Sequence, residues 1–217
     1  MTAYYNDTDP YCCRVLEARI ADGSLPEGDV DDRDIRTVTA HELRAYDQVH
    51  LFAGIGGIPL GLRHAGFDGP ILTGGFPCVD LSFAGRGAGL YADRSGLFWE
   101  MLAAIRLVRP PLILIENVAA LLARGLDVVL GALASIGYDA TWHCVPAAHV
   151  GAPHIRDRIW ILAHPGREHH ERGRGERGRP GGAGSRAGPA RPGQDADDVA
   201  HPDLPRPQGH RGLRQRA

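Results

Sequence analysis

Residues 49–57 read VHLFAGIGG. A short apolar run ends in glycines and is followed by a helix-forming stretch, IPLGLRHAG. This is the pattern of a strand-to-helix turn. Without a Cβ, Gly54, Gly56 and Gly57 allow close backbone approach to a ligand and leave the first helical amides free. The run is not GxGxxG, because Pro59 stands where the third glycine would fall. A plain tight turn explains it equally well, so its meaning depends on what surrounds it.

Outward from that turn, strands and helices alternate. ILTGGFPC (71–78) reads as a strand ending in a turn. GLFWEMLAAIRLVRP places Leu97, Met101 and Ile105 with Phe98 and Leu102 at helical spacing, and Pro110 and Pro111 stop it. PLILIEN (111–117) is an apolar strand closing on a carboxylate and an amide. ALLARGLDVVLGALASIG predicts a helix ended by Gly137, and TWHCVPA and RIWILAH predict two more strands. Such alternation argues for a parallel α/β sheet with helices on both faces. Ligands of such sheets bind at the carboxyl ends of the strands, where FAGIGG, GGFPC and IEN fall.

Composition narrows the classes. All 24 fixed side-chain cations are arginines, and the net charge is −2. Residues 164–217 hold 11 Arg against 7 acidic residues, a charge of +4, leaving −6 for the remainder. An acidic body is not that of a pure nucleic-acid-binding module. The four cysteines, Cys12, Cys13, Cys78 and Cys144, have no metal-ligand spacing, so no metal site is expected. No signal-like segment and no apolar run of membrane-spanning length occurs, which points to a reduced, cytoplasmic protein. From Gly166 to Ala217 the chain is Gly, Arg, Pro and Ala with few residues to bury, which predicts a disordered tail.

Three groups could do chemistry. Cys78 follows Pro77 at a strand end, either as a nucleophile or as a structural thiol. Glu116 closes an apolar strand, where a carboxylate needs a polar partner or a function. In HIRDRIW (154–160), Arg156 and Arg158 alternate onto one face while Asp157 points away.

Together these segments resemble the C5-cytosine DNA methyltransferases, whose signatures are a PCQxxS loop, an ENV tripeptide and a QxRxR strand. Here they stand as Pro77-Cys78-Val79 with Ser82, as Glu116-Asn117-Val118, and as His154-Ile155-Arg156-Asp157-Arg158. Val79 and His154 replace the family's glutamines. The resemblance covers roughly residues 3–163. It implies a Rossmann-like fold that binds S-adenosylmethionine through Phe52, Ala53, Gly54, Ile55, Gly56, Gly57, Pro77 and Leu97. It also implies Cys78 as the nucleophile adding to cytosine C6, Glu116 on N3 and the exocyclic amine, and Asn117 fixing the loop. Arg156 and Arg158 would hold the base carbonyl and a phosphate. Ser82 and Arg86 would close over the DNA backbone, and the target cytosine would leave the duplex.

The family follows its glycine loop with a strand bearing an acidic ribose ligand and then a GD pair near the adenine. Only 14 positions separate Gly57 from Ile71, too few for these. YYNDTDPY at the N-terminus resembles the missing segment, with Asp7 facing the ribose and Thr8 beside it. Asp29 of a Gly28-Asp29-Val30 pair follows Asp7 by 22 positions. The expected domain is therefore circularly permuted. Residues 1–32 would supply the displaced cofactor-binding strands, 33–48 a connector, 49–165 the core, and 166–217 the tail. This places the N-terminal strand beside the FAGIGG strand, with Asp7 close to Gly54.

Neither the family's target-recognition region nor its GNS-bearing helix is visible, so a separate chain supplying target recognition is an expected partner beside DNA. The expected activity is transfer of a methyl group to C5 of cytosine in DNA, in a bacterial or phage-encoded protein. An inactive remnant or a binding module retaining the fold is the alternative.

Overall fold

A computed structural model of the chain describes residues 1–77 and 96–166. The N-terminal segment is a strand, β1 (Ala3–Asn6), and all four of its residues are buried. Asp9 and Pro10 then start α1 (Pro10–Ala21): the Asp9 side chain accepts from the Tyr11 amide, and proline fits the first helical turn. β2 (Gly28–Asp31) runs parallel to β1, with Tyr4 opposite Asp29 and Asn6 opposite Asp31. Gly28 is dictated by this pairing, because a Cβ there would lie 1.9 Å from the Ala3 carbonyl oxygen.

A 3-10 turn (Ile35–Thr37) and a short helix, α2 (Ala40–Leu43), return the chain to β3 (Gln48–Leu51) on the other side of β1. The turn 52–56 leads into α3 (Gly57–His64), and β4 (Ile71–Gly74) follows. α4 (Leu97–Val108) ends at Arg109 in the left-handed region, just before Pro110 and Pro111. β5 (Ile113–Val118) leads to α5 (Leu121–Arg124) and α6 (Leu126–Ser135). The long β6 (Tyr138–Pro146) and β7 (Asp157–Pro165) complete the sheet. The single helix expected over residues 120–136 is thus two, broken at Gly125, whose φ of 156° is open to glycine.

The seven strands lie in the order β2-β1-β3-β4-β5-β7-β6. The sheet is not wholly parallel: β7 pairs antiparallel with both β5 and β6. Its alternation is clear in burial, with Ile159, Ile161 and Ala163 buried on the face carrying the main core. α4 contributes Phe98, Met101 and Ile105 to that core, the face its spacing predicts. A smaller cluster on the opposite face joins Ala3 and Tyr5 to Leu16 and Leu25, so the N-terminal strand is part of the packed interior.

β3 carries a buried polar ladder. His50 is fully buried, its Nδ1 2.8 Å from Thr73 Oγ1 and its ring stacked on Tyr5. Burial pushes the imidazole down to about 3, so it stays neutral.

Candidate active site

The parallel strands place the ends of β1, β3 and β4 at one edge of the sheet, where a cavity of about 230 Å³ opens. Asn6, Asp7 and Thr8 line it from β1, Phe52 from the glycine turn, Gly75 and Pro77 from beyond β4, and Leu97 from α4. Asp34 and Ile35 complete it. Asp7, Thr8, Phe52, Pro77 and Leu97 are thus brought together from positions up to ninety residues apart.

Asp7 joins the first strand to the glycine turn. Its Oδ2 accepts from the Gly54 amide at 2.7 Å, and its Oδ1 accepts from the Asp9 amide at 3.0 Å. The Ala53 amide also donates to the Asn6 carbonyl. Phe52, Gly54 and Gly56 all have positive φ, which folds the turn tightly enough to present its backbone. A Cβ on Gly54 would meet nothing within 4 Å, so the backbone there faces open space. At Gly56 a Cβ would fall 2.8 Å from Leu25 Cδ1, which makes that glycine a packing requirement. Ala53 packs against the smaller core cluster, Ile55 is exposed and its carbonyl accepts from Arg19, and Gly57 opens α3.

The structure places Asp29 and Val30, expected beside the cofactor, away from this cavity. Neither lines this cavity; both border a groove of about 560 Å³ on the outer edge of the sheet. The cause is register. Asp29 lies opposite Tyr4, three residues short of Asp7, and its carboxylate accepts from the Tyr46 hydroxyl at 2.6 Å. Two other carboxylates of that groove are also paired, Asp31 with Arg33 and Tyr4, and Glu42 with Arg33, and Asp32 borders it as well. The groove is larger, but the smaller cavity lies at the carboxyl ends of the parallel strands beside the glycine turn, which makes it the better candidate site. The residues missed from sequence are Asn6, Asp34, Ile35 and Gly75. Asn6 is buried, and its Nδ2 donates to the Asp31 and Arg33 carbonyls, which sets the turn that delivers Asp34 and Ile35.

A second group adjoins the cavity at Gly75. Glu116 and Arg158 form an ion pair, Nε to Oε1 at 2.7 Å, each about a quarter exposed. A Cβ on Gly75 would fall 3.0 Å from Glu116 Oε2, so the carboxylate stands directly against the turn that leads to Pro77. Burial raises the Glu116 pKa above the usual carboxylate range, and Arg158 and Arg156 oppose that rise. Asn117 is buried, and its Nδ2 donates to the Phe76 carbonyl at 3.2 Å, pinning the same turn. Its Oδ1 accepts from the Val118 amide. Arg156 lies just outside β7, which begins at Asp157, and has φ of 36°, and its charge and that of Arg158 both act on Glu116. Cys78, Ser82 and Arg86 lie outside the described residues.

The residues present fit S-adenosylmethionine. Carboxylates suit a cationic ligand, Phe52 and Ile35 offer apolar contact, and the bare Gly54 backbone leaves room for close approach. Among the described residues no group of three or more His, Cys, Asp or Glu could hold a metal ion, and no helix is long and apolar enough to cross a membrane.

Comparison with known proteins agrees with this geometry. Residues 68–180, a little over half the chain, match the C-5 cytosine-specific DNA methylase family. The type II methyltransferase M.PspPI of Psychrobacter sp. (strain TA137) is 31% identical over 164 residues, which cover 55% of this chain and 39% of that protein. M.DsaV of Dactylococcopsis salina, also a type II methyltransferase, is 26% identical over 163 residues, 73% of this chain and 38% of that protein. The chain therefore spans about two-fifths of the length of these relatives. Among solved structures, a DNA modification methyltransferase encoded within an E. coli prophage superposes with a TM-score of 0.50 at 18% identity, over 75% of this chain and 40% of that one. This last likeness concerns the fold. The family match over more than half of the chain establishes that it belongs to the C-5 cytosine-specific DNA methylase family.

Proposed function

We propose that this chain is the catalytic part of a DNA (cytosine-5-)-methyltransferase, using S-adenosylmethionine and a covalent Cys78 adduct. The observation that carries the reading is the Glu116–Arg158 pair set against Gly75, with Asn117 tied to Phe76. A half-buried carboxylate with a raised pKa thereby stands beside the segment that delivers Cys78.

Each role rests on that placement. Asp7, Thr8, Phe52, Gly54, Pro77 and Leu97 would hold the cofactor, joined by Asp34 and Ile35 in place of Asp29 and Val30. When bound, S-adenosylmethionine supplies an electrophilic methyl group. Cytosine C5 is too weak a nucleophile to accept it unaided. The Cys78 thiolate would add to C6, making C5 enamine-like. Glu116 would hydrogen-bond N3 and the exocyclic amine, stabilising the charge that builds on the ring. Burial, which raises its pKa, works toward a proton held between Glu116 and N3, and Arg158 works against it. Arg158 would orient Glu116, a role its ion pair with that carboxylate supports, and Arg156 would hold the base carbonyl or a phosphate. Loss of the C5 proton and departure of Cys78 then restore the aromatic ring. The base reaches this site by leaving the duplex, with Ser82 and Arg86 closing over the backbone.

The strand order supports a circularly permuted chain, since β1 and β2 precede β3 in sequence yet sit beyond it in the sheet. We propose DNA as the substrate and the bacterial cytoplasm as the site of action. The test is methyl transfer from labelled S-adenosylmethionine to mixed-sequence DNA, with and without co-expressed neighbouring reading frames. Incorporation that Cys78→Ser abolishes is the expected result. No incorporation under either condition would sink the active-enzyme reading. Trapping on 5-fluorocytosine DNA tests the adduct separately.

A further inference from the structure

Arg33 ties together two parts of the chain that lie on either side of a cavity wall. Its Nε donates to both Asp31 oxygens at 3.0 Å and its Nη2 to Asp31 Oδ2 at 2.7 Å, a side-on grip at the end of β2. The same Nη2 reaches Glu42 Oε1 in α2 at 2.9 Å. One guanidinium therefore spans from a strand to the helix that follows it. Both anchors are held in their turn. Asp31 is 12% exposed, and its Oδ2 accepts from the hydroxyl of the buried Tyr4 at 2.6 Å. Glu42 Oε2 accepts from the Thr39 amide and hydroxyl, each at 2.7 Å, a capping box at the start of α2. Next to it Leu43 is buried, and the Arg44 guanidinium donates to the Leu107 carbonyl in the last turn of α4.

Between the two anchors lies the far wall of the cavity. Asp34 and Ile35 line it, and the 3-10 turn that begins there runs on to Thr39. Asn6 fixes this segment from the β1 side, its Nδ2 donating to the Arg33 carbonyl at 2.8 Å. The Arg33 side chain borders the groove of about 560 Å³ instead. One residue is thus tied through its backbone to the strand below the cavity and through its side chain to the helix beyond it. The Arg33 guanidinium holds Asp31 down at about 2, and Thr39, then Arg33, do the same for Glu42, so both acids are charged at neutral pH. Isolated exposed ion pairs contribute little. A side-on arginine grip shared with a second carboxylate and a buried tyrosine is a network, where geometry is fixed as well as charge.

We infer that Arg33 is a positioning residue for the cofactor site: its guanidinium clasps Asp31 to Glu42 and so holds Asp34 and Ile35 against the cavity. This rests on the reading of that cavity as the one that takes S-adenosylmethionine. Arg33 touches no ligand in this role. It raises the fraction of chains whose cavity wall is in place, and apparent affinity follows that fraction. The groove outside β2 is then the outer side of the clasp, which links a solvent-facing ion pair to the shape of the cavity behind it.

The test is calorimetric titration of the full chain with S-adenosylmethionine, beside hydrogen exchange of the free chain. Arg33→Met should raise the Kd about fivefold, the upper end for an exposed pair that belongs to a network. Arg33→Lys keeps the charge but replaces the planar fork with a point donor, so it should recover only part of the loss. Glu42→Gln should raise the Kd alone and add nothing in the Arg33→Met background, because both remove the same contact. The Thr37 and Val38 amides, which donate to the Asp34 and Ile35 carbonyls, should exchange faster in Arg33→Met. The Leu72 amide, bonded to the Leu112 carbonyl inside the sheet, should not change. An unchanged Kd in Arg33→Met would overturn the clasp, as would additive losses in the double variant. Equal acceleration at Leu72 would also overturn it, since that marks general loosening. Binding by wild type with no change in the variant refutes the clasp alone. A wild-type chain that takes up no S-adenosylmethionine refutes the cofactor reading and the role of Arg33 in it together.

Discussion

Asp7 gives the sharpest test of how the site is assembled, because one carboxylate holds two backbone amides from separate segments. Replacing it with alanine removes the acceptors of the Gly54 and Asp9 amides at 2.7 and 3.0 Å. A hydrogen bond to a charged group contributes about 1.5–3 kcal/mol when buried, and these are partly exposed, so about 1–2 kcal/mol at the glycine turn is a fair figure. That turn must be ordered for its backbone to meet the cofactor, and any loss of order reduces apparent affinity by the competent fraction. The Kd for S-adenosylmethionine should therefore rise about tenfold, the equivalent of 1.4 kcal/mol. Calorimetric titration measures it, and hydrogen exchange at the Gly54 amide reports the latch directly. In Asp7→Ala that amide should exchange faster even without cofactor. Asp7→Asn keeps one acceptor oxygen and should fall between the two. A Kd within twofold of wild type, with Gly54 protection unchanged, would refute both the latch and the assignment of the N-terminal strand to the cofactor site.

Three further outcomes depend on particular contacts. Gly56→Ala should cost about 1–3 kcal/mol in chemical denaturation, since it forces a Cβ into positive φ and against Leu25 and Leu16; a change below 0.5 kcal/mol, as at an ordinary surface site, would show the turn to be slack. His50 binds a proton more readily unfolded than folded, so its contribution is complete above its unfolded pKa of about 6.5 and is lost as pH falls toward 3. Stability should fall by up to about 1.4 kcal/mol per pH unit between pH 6 and 4. Asp31 and Glu42, both held down at about 2, lose their contributions only below about pH 4. His50→Asn should abolish the upper slope even if it lowers stability throughout. Removing the guanidinium in Arg158→Met should raise the Glu116 pKa further, because Arg158 is the largest opposing charge. The alkaline limb of methyl transfer, or of adduct formation on 5-fluorocytosine DNA, should move to higher pH while maximal activity falls; an unshifted limb would separate Glu116 from the observed titration.

The parts of the site legible in sequence were those whose chemistry conflicts with their surroundings. Glu116 at the end of an apolar strand required a partner, and Arg158 supplies it. Glycines at 54, 56 and 57 marked a turn that needs bare backbone, although Gly56 turns out to be packed and Gly54 open. Arg156 lies just ahead of β7 with φ of 36°, a backbone state that alternation in the sequence does not reveal. The break between α5 and α6 was hidden in the same way. Gly125 inside a helix-like pattern reads as a tolerated glycine until its φ is known.

The position of Asp29 shows why the cavity-lining residues beyond β1 were harder to find. A Gly-Asp pair after a short loop suggests a ligand-binding turn, but Gly28 has a purely structural cause in the Ala3 carbonyl. Which acid reaches the cavity depends on how far β2 runs before it turns, and that is fixed by pairing between distant residues. With Tyr4 opposite Asp29 and Asn6 opposite Asp31, Asp29 must lie about 10 Å down the strand from the level of Asp7 at three residues of strand rise. Only residues beyond Asp31 can reach that level, and the Asn6 amide bonds to the Asp31 and Arg33 carbonyls fix the turn that brings Asp34 and Ile35 there. Asn6 is therefore a positioning residue for the far wall of the cavity. Asn6→Ala should weaken cofactor binding without removing any cavity-lining carboxylate, whereas Asp29→Ala should leave it unchanged. Calorimetric Kd values for the two variants in the opposite order would show that the wall is built from Asp29 and that the register argument is wrong.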